Sequence, residues 1–125
     1  MNKDLEKELI NEFPTFFKDM YGDMTKTCMH WGCSCGKGWF KIIRKACRKV
    51  AKLDKGTFYF LQIKEKWGRL CLYCTGGNEE IYKIMLKAEE ESCKTCEKCG
   101  TKKDVTAEGS WIATLCSVCR KSLTK

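Results

Sequence analysis

The sequence predicts an α+β fold in which a small helical body packs on a short antiparallel β-hairpin and runs on into a cysteine-rich tail. Three observations predict it. Apolar residues recur at helical three- and four-residue steps near 3–13, 38–53 and 79–92, β-forming residues alternate across 57–75, and four cysteines stand in two close pairs beyond residue 95. These place a body at 1–94 and a tail at 95–125. A chain of 125 residues is one ordinary domain, or one core with an appendage, by the rough prior of ~100–200 residues per domain. A multidomain enzyme is therefore not expected. With 43% apolar and 32% charged residues the composition is that of a globular protein, and no apolar run approaches the ~18–20 residues of a bilayer span.

The first helix follows from Leu5, Leu9 and Phe13, spaced four apart, and Pro14 ends it or opens a short turn carrying Phe16, Phe17 and Met20. These aromatic residues are expected in the core. The first fifteen residues interleave acids with lysines and lack the apolar stretch of a secretory signal, so the chain is expected to act in the cytoplasm of the cell that makes it. Residues 22–38 hold four glycines and three cysteines without a sustained period and read as a long loop that needs a local staple. In the helix that follows, Trp39, Ile42, Ile43, Ala46, Cys47, Val50 and Leu53 form the buried face. TFYFLQIK then reads as a strand in which Phe58 and Phe60 alternate against Tyr59, Leu61 and Ile63. A polar turn over KEKWGR leads to a return strand, LCLYCT, ended by Gly76-Gly77. Asn78 caps the last body helix, whose first turn carries Glu79 and Glu80 and whose buried face is Ile81, Ile84, Met85 and Ala88.

The formal charge is +8, and residues 28–55 alone carry eight basic side chains against Asp54. Opposite the apolar face of the 38–53 helix lie Lys41, Lys45, Arg48, Lys49 and Lys52. Such a stripe suits nucleic-acid phosphates, because neutralising them releases condensed counterions. A solvated surface face is the plainer alternative.

The tail carries the most specific pattern. Cys96-x-x-Cys99-Gly100 and Cys116-x-x-Cys119, with sixteen residues between Cys99 and Cys116, present four thiolates to one tetrahedral zinc ion. The two-residue spacing lets both sulfurs face one ion, and the glycine supplies positive φ. Val105 and Trp111-Ile112 are expected as the arms of a small hairpin between the knuckles, a four-cysteine zinc ribbon with too little apolar surface to fold without its metal. Four sulfurs close the coordination shell, so the ion is structural. Cys93 is an alternative ligand in a shifted knuckle, but Gly100 favours the pair ending at Cys99.

Cys28, His30, Cys33 and Cys35 supply enough ligands for a second metal ion, although C-x-C is awkward for one ion, and buried thiols are the alternative. Cys71 and Cys74 lie in a strand, where positions three apart face opposite sides, so packing is expected, as for Cys47. Catalysis is not expected: nothing orients His30 toward a neighbouring thiol, and GKGW at 36–39 is too short for a phosphate loop.

WGCSCGKGWFKII, QIKEKWGRLCLYCTGGNEEI, AEEESCKTCEKCG and SWIATLC together resemble a group of small uncharacterised proteins of tailed bacteriophages and prophages. The resemblance covers roughly residues 12–120 and rests on Gly38-Trp39, the turn at Lys64–Leu70, Gly76-Gly77 and the C-x-x-C-G knuckle. It implies a helical and hairpin body with a zinc-ribbon-like tail, phage origin and action in the bacterial cytoplasm, and it implies no activity. The expected function is non-enzymatic nucleic-acid binding through the basic helix with Lys98, Lys102, Lys103, Arg120 and Lys121 of the tail, and with Trp111 or Trp67 stacking on a base. The competing expectation is an anti-defence or host-takeover inhibitor that docks on a host protein or its nucleic-acid complex. Neither a membrane nor a small-molecule substrate is expected as a partner.

Overall fold

The structure, a computed structural model, describes residues 1–123, so the last two residues of the expected tail lie outside the described residues. It is α+β, with a three-stranded sheet in the body and a two-stranded sheet in the tail. Helix α1 spans Lys3–Glu12, where the Asn2 side chain accepts from the Leu5 amide at 2.9 Å and so satisfies one of the helix's open N–H groups. It stops before Pro14. The aromatic residues beyond it form the expected cluster: Phe13 stacks on Phe16 at 5.5 Å, Phe16 meets Phe58 edge-on at 5.0 Å, and Phe17 lies 5.0 Å from Phe60.

The stretch expected as a long loop contains two 3₁₀ turns, Cys28–Trp31 and Lys37–Trp39, and a two-residue strand, β1 (Cys33–Ser34). Its staple is Glu6. This carboxylate, 3% exposed, accepts from the Cys33 amide and the Tyr21 hydroxyl, each at 2.6 Å, and thereby ties the start of the segment and β1 to α1. Helix α2 (Phe40–Ala51) follows, starting two residues later than the periodicity predicts, because 37–39 are wound as 3₁₀. Its buried face is Phe40, Ile42, Ile43, Ala46, Cys47 and Val50; the stripe predicts all but Phe40, while its Trp39 is buried in the preceding 3₁₀ turn and its Leu53 lies beyond the helix, partly buried.

Strands β2 (Tyr59–Lys66) and β3 (Arg69–Thr75) pair antiparallel, and β1 adds to β2 in parallel with Cys33 beside Ile63. A bulge between Phe60 and Gln62 shifts the phase of β2, so Ile63 rejoins Phe58 and Phe60 among the buried residues instead of alternating against them. The turn is tighter than expected. Lys66 pairs with Arg69 across Trp67-Gly68, whose φ values of +55° and +78° are those of a two-residue type I′ turn. Helix α3 (Glu79–Ser92) is capped by the Asn78 side chain, which accepts from the Ile81 amide at 3.0 Å, and packs against both α2 and β3. It also closes the sheet edge: Ser92 Oγ and Glu89 Oε2 accept from the Leu70 and Leu72 amides at 2.9 and 2.8 Å.

The tail comprises β4 (Val105–Glu108), β5 (Ala113–Cys116) and α4 (Ser117–Leu123). The second hairpin arm is Ala113–Cys116, one step later than expected, and Trp111-Ile112 fall in the turn. No helix among the described residues is long and apolar enough to cross a membrane.

Candidate metal centre and basic surface

The sulfurs of Cys96, Cys99, Cys116 and Cys119 all lie within 4.8 Å of one another, with Cys99 and Cys116 at 3.8 Å. Thiolates bound tetrahedrally at ~2.3 Å stand about 3.8 Å apart, so the donor set and its spacing fit one fully coordinated metal ion. Local backbone builds this arrangement. The Gly100 amide donates to the Cys96 carbonyl at 2.9 Å and the Cys96 amide to the Thr101 carbonyl at 2.8 Å, a reversal that Gly100 allows by adopting φ +85°. Cys116 ends β5, and Cys119 lies in the first turn of α4 with its amide directed at the Cys116 sulfur, 3.4 Å away.

Burial by itself would raise the Cys96 thiol. The backbone amides of Cys116, Cys99 and Lys98 pointing at its sulfur outweigh that and bring it down to about 6. Cys119 moves the other way, pushed up to about 12 by its hydrogen bond to Cys116 and then by burial. Four thiolates crowded without a cation cannot all ionise, and a bound dication removes that conflict.

The knuckle is seated on the body. Gly38 N–H donates to the Glu97 carbonyl at 2.7 Å, Trp39 Nε1–H to the Thr95 carbonyl at 2.9 Å, and Gly36 N–H to the Glu97 carboxylate at 2.8 Å. A Cβ on Gly38 would collide with the Cys96 and Glu97 carbonyl oxygens. The glycines of GKGW thus admit the knuckle's backbone.

The structure does not bring Cys28, His30, Cys33 and Cys35 together as a second cluster: among the described residues, the tail group is the one set of at least three donors placed to share an ion. Cys33 and Cys35 turn into the core, where burial pushes the first thiol well up and the second to about 12. Cys28 is exposed, and His30 Nδ1 is held by the Gly22 carbonyl at 2.5 Å. Cys47 is fully buried and Cys71 and Cys74 partly so, in keeping with packing.

Lys41, Lys45, Arg48, Lys49 and Lys52 share one shallow groove along α2 with Arg44, which the sequence reading omits. The spacing places Arg44 on this face, three residues after Lys41 and four before Arg48. Lys45 is paired with Glu91 at 2.6 Å and Arg48 with Glu12 at 2.7 Å, whereas Lys41, Lys49 and Lys52 have no ion pair among the described residues. In the tail, Lys102 also reaches Glu91, at 3.0 Å, Lys98 reaches Ser122, and Lys103 has an exposed side chain. Lys121 lies on α4 and has contacts of its own. Arg120 turns inward: its guanidinium donates to the carbonyls of Thr106, Ala113 and Glu108 at 2.6, 2.9 and 3.3 Å, clamping the hairpin rather than facing outward. Trp111 and Trp67 are 87% and 71% exposed, so neither covers a core.

Compared with known proteins, the chain matches no family model, no curated protein and no solved structure.

Proposed function

We propose that this is a non-enzymatic, phage-type protein that carries one structural zinc ion on Cys96, Cys99, Cys116 and Cys119 and binds nucleic acid through the outer face of α2 in a bacterial cytoplasm. The observation carrying the reading is that six cationic side chains, Lys41 to Lys52, line one groove with no carboxylate among its walls. Phosphates recognised this way need no sequence-specific geometry, only closely spaced positive charge on a rigid support. The ion pairs at Lys45 and Arg48 are solvent-exposed, weak and screened by salt, so phosphates can replace Glu91 and Glu12 as their partners. Zinc fits an all-sulfur tetrahedral site, and saturation by four protein ligands gives it a folding role.

The test is fluorescence anisotropy of labelled mixed-sequence DNA and RNA over ~50–200 mM salt. Binding at micromolar concentration or tighter, with a steep negative slope in log affinity against log salt, is expected. Changing Lys41, Lys49 and Lys52 together to Glu is expected to make the duplex slope shallower by about 2–3, near 0.9 per lost phosphate contact. Absent binding, or affinity indifferent to salt and to the triple change, overturns the reading and favours a protein target for the same groove.

A further inference from the structure

The turns of the two hairpins meet beside a cleft of about 280 Å³ lined by Lys64, Glu65, Lys66, Trp67, Trp111 and Ile112. We infer that this cleft binds an unpaired nucleobase, giving the protein a preference for single-stranded over duplex nucleic acid. The inference rests on the nucleic-acid reading of α2 and adds a second, chemically different contact to it.

Two exposed indoles on separate sheets come to one place because the hairpins are tied together. Thr114 Oγ1 donates to the Gly68 carbonyl, and Gly68 sits so close to the ribbon that a Cβ there would stand 2.8 Å from Thr114 Oγ1 and 3.1 Å from Ile112 Cγ2. The contact fixes one turn against the other. Trp67 also occupies a position that its own turn disfavours: the first residue of a type I′ turn takes Asn, Asp or Gly, and here a tryptophan is held at φ +55° with its ring in water. A ring 71% exposed on a strained backbone contributes little to this hairpin's core, and such outliers gather where a ligand is met.

The charge around the cleft selects the ligand. Glu65 directs its carboxylate at the Gly68 amide, 2.6 Å away, while Lys64 and Lys66 form no ion pair among the described residues. Flat π-faces flanked by lysines match a base with its adjoining phosphates. The volume falls just below the ~300–1,000 Å³ typical of small-molecule pockets, which suits a single base rather than a large cofactor. Bases in a duplex already stack on one another and must be extruded to reach an indole, so a single strand is favoured.

The experiment uses the zinc-loaded full chain and measures anisotropy at fixed salt with three labelled probes: a mixed-sequence strand of about 12 nucleotides, within the ~4–16 nucleotide site sizes of single-strand binders, its duplex, and an abasic strand with as many phosphates. The single strand is expected to bind most tightly. Trp67→Asn and Trp111→Ala are each expected to weaken it about 5- to 150-fold, the range for losing one stacked base, while leaving duplex affinity unchanged, and Trp111→Phe should restore most of the loss. Trp67→Asn is expected to melt no lower than the parent, since asparagine tolerates positive φ, which separates lost binding from lost folding. If both tryptophan variants bind the single strand as the parent does while the α2 triple change abolishes binding, the cleft inference is overturned and the α2 reading stands. If the parent binds none of the three probes, the nucleic-acid reading fails and takes the cleft with it; capture of an acidic peptide by the same tryptophans would then mark a protein-docking cleft.

Discussion

A methyl group at residue 38 would meet the carbonyl oxygens of Cys96 and Glu97, and neither oxygen can retreat without moving the knuckle that presents Cys96 and Cys99. The glycine is therefore a spacing element between the body and the metal site. Gly38→Ala is expected to cost about 1–3 kcal/mol, the usual range for forcing an extra carbon into a packed site, and to weaken metal retention because strain falls on the ligand-bearing turn. Thermal melting and competition with a chromophoric chelator check the two effects. A variant that melts lower yet holds its metal as tightly as the parent would show that the strain is absorbed in 36–39 instead.

Among the elements, α3 does the joining: its Glu91 takes Lys45 of α2 at 2.6 Å and Lys102 of the tail at 3.0 Å. Burial alone would raise this carboxyl, but the hydrogen bonds and charges of the two lysines hold it below its ordinary value of 4.5. A carboxyl lowered in the folded state leaves the unfolded chain binding more protons, so the contribution is complete above about 4.5 and disappears as pH falls below it. Glu91→Gln is expected to destabilise the protein by ~1 kcal/mol at neutral pH, the scale of such surface pairs, with the gap closing in acid; denaturant melts of both proteins at several pH values check this. The sequence made α2, α3 and the hairpin legible because each carries a strong period and, for α3, a capping asparagine. It hid β1, since two residues have no period, and it hid the Leu61 bulge, since an added residue looks like continued alternation until the partner strand fixes the register. Cys96, Cys99, Cys116 and Cys119 were legible as ligands from spacing alone, whereas the inward turn of Arg120 depends on backbone carbonyls that only the folded hairpin brings within reach.

For the molecule as a whole, the tail's composition suggests a separable module, but its first knuckle is bonded to the residues that begin α2. Thr95 and Glu97 supply the acceptors for Trp39 Nε1–H and Gly38 N–H, at 2.9 and 2.7 Å, and Trp39 is fully buried. Removing the metal leaves the thiols of the knuckle in conflict over ionisation, and an opened knuckle withdraws both acceptors. The buried Trp39 indole N–H left without a partner costs about 1–3 kcal/mol, enough to loosen the start of the basic helix. Chelation is therefore expected to reach beyond the tail into the body. Tryptophan emission reports this selectively, because Trp31, Trp67 and Trp111 are already 64%, 71% and 87% exposed and only Trp39 has a buried environment to lose. A strong chelator is expected to shift emission to the red and lower the melting temperature of the whole chain, both restored by added zinc. Unchanged emission and melting after the metal is removed would show that the body folds without regard to the metal. In that case the hydrogen bonds to Thr95 and Glu97 would be consequences of docking rather than supports of α2.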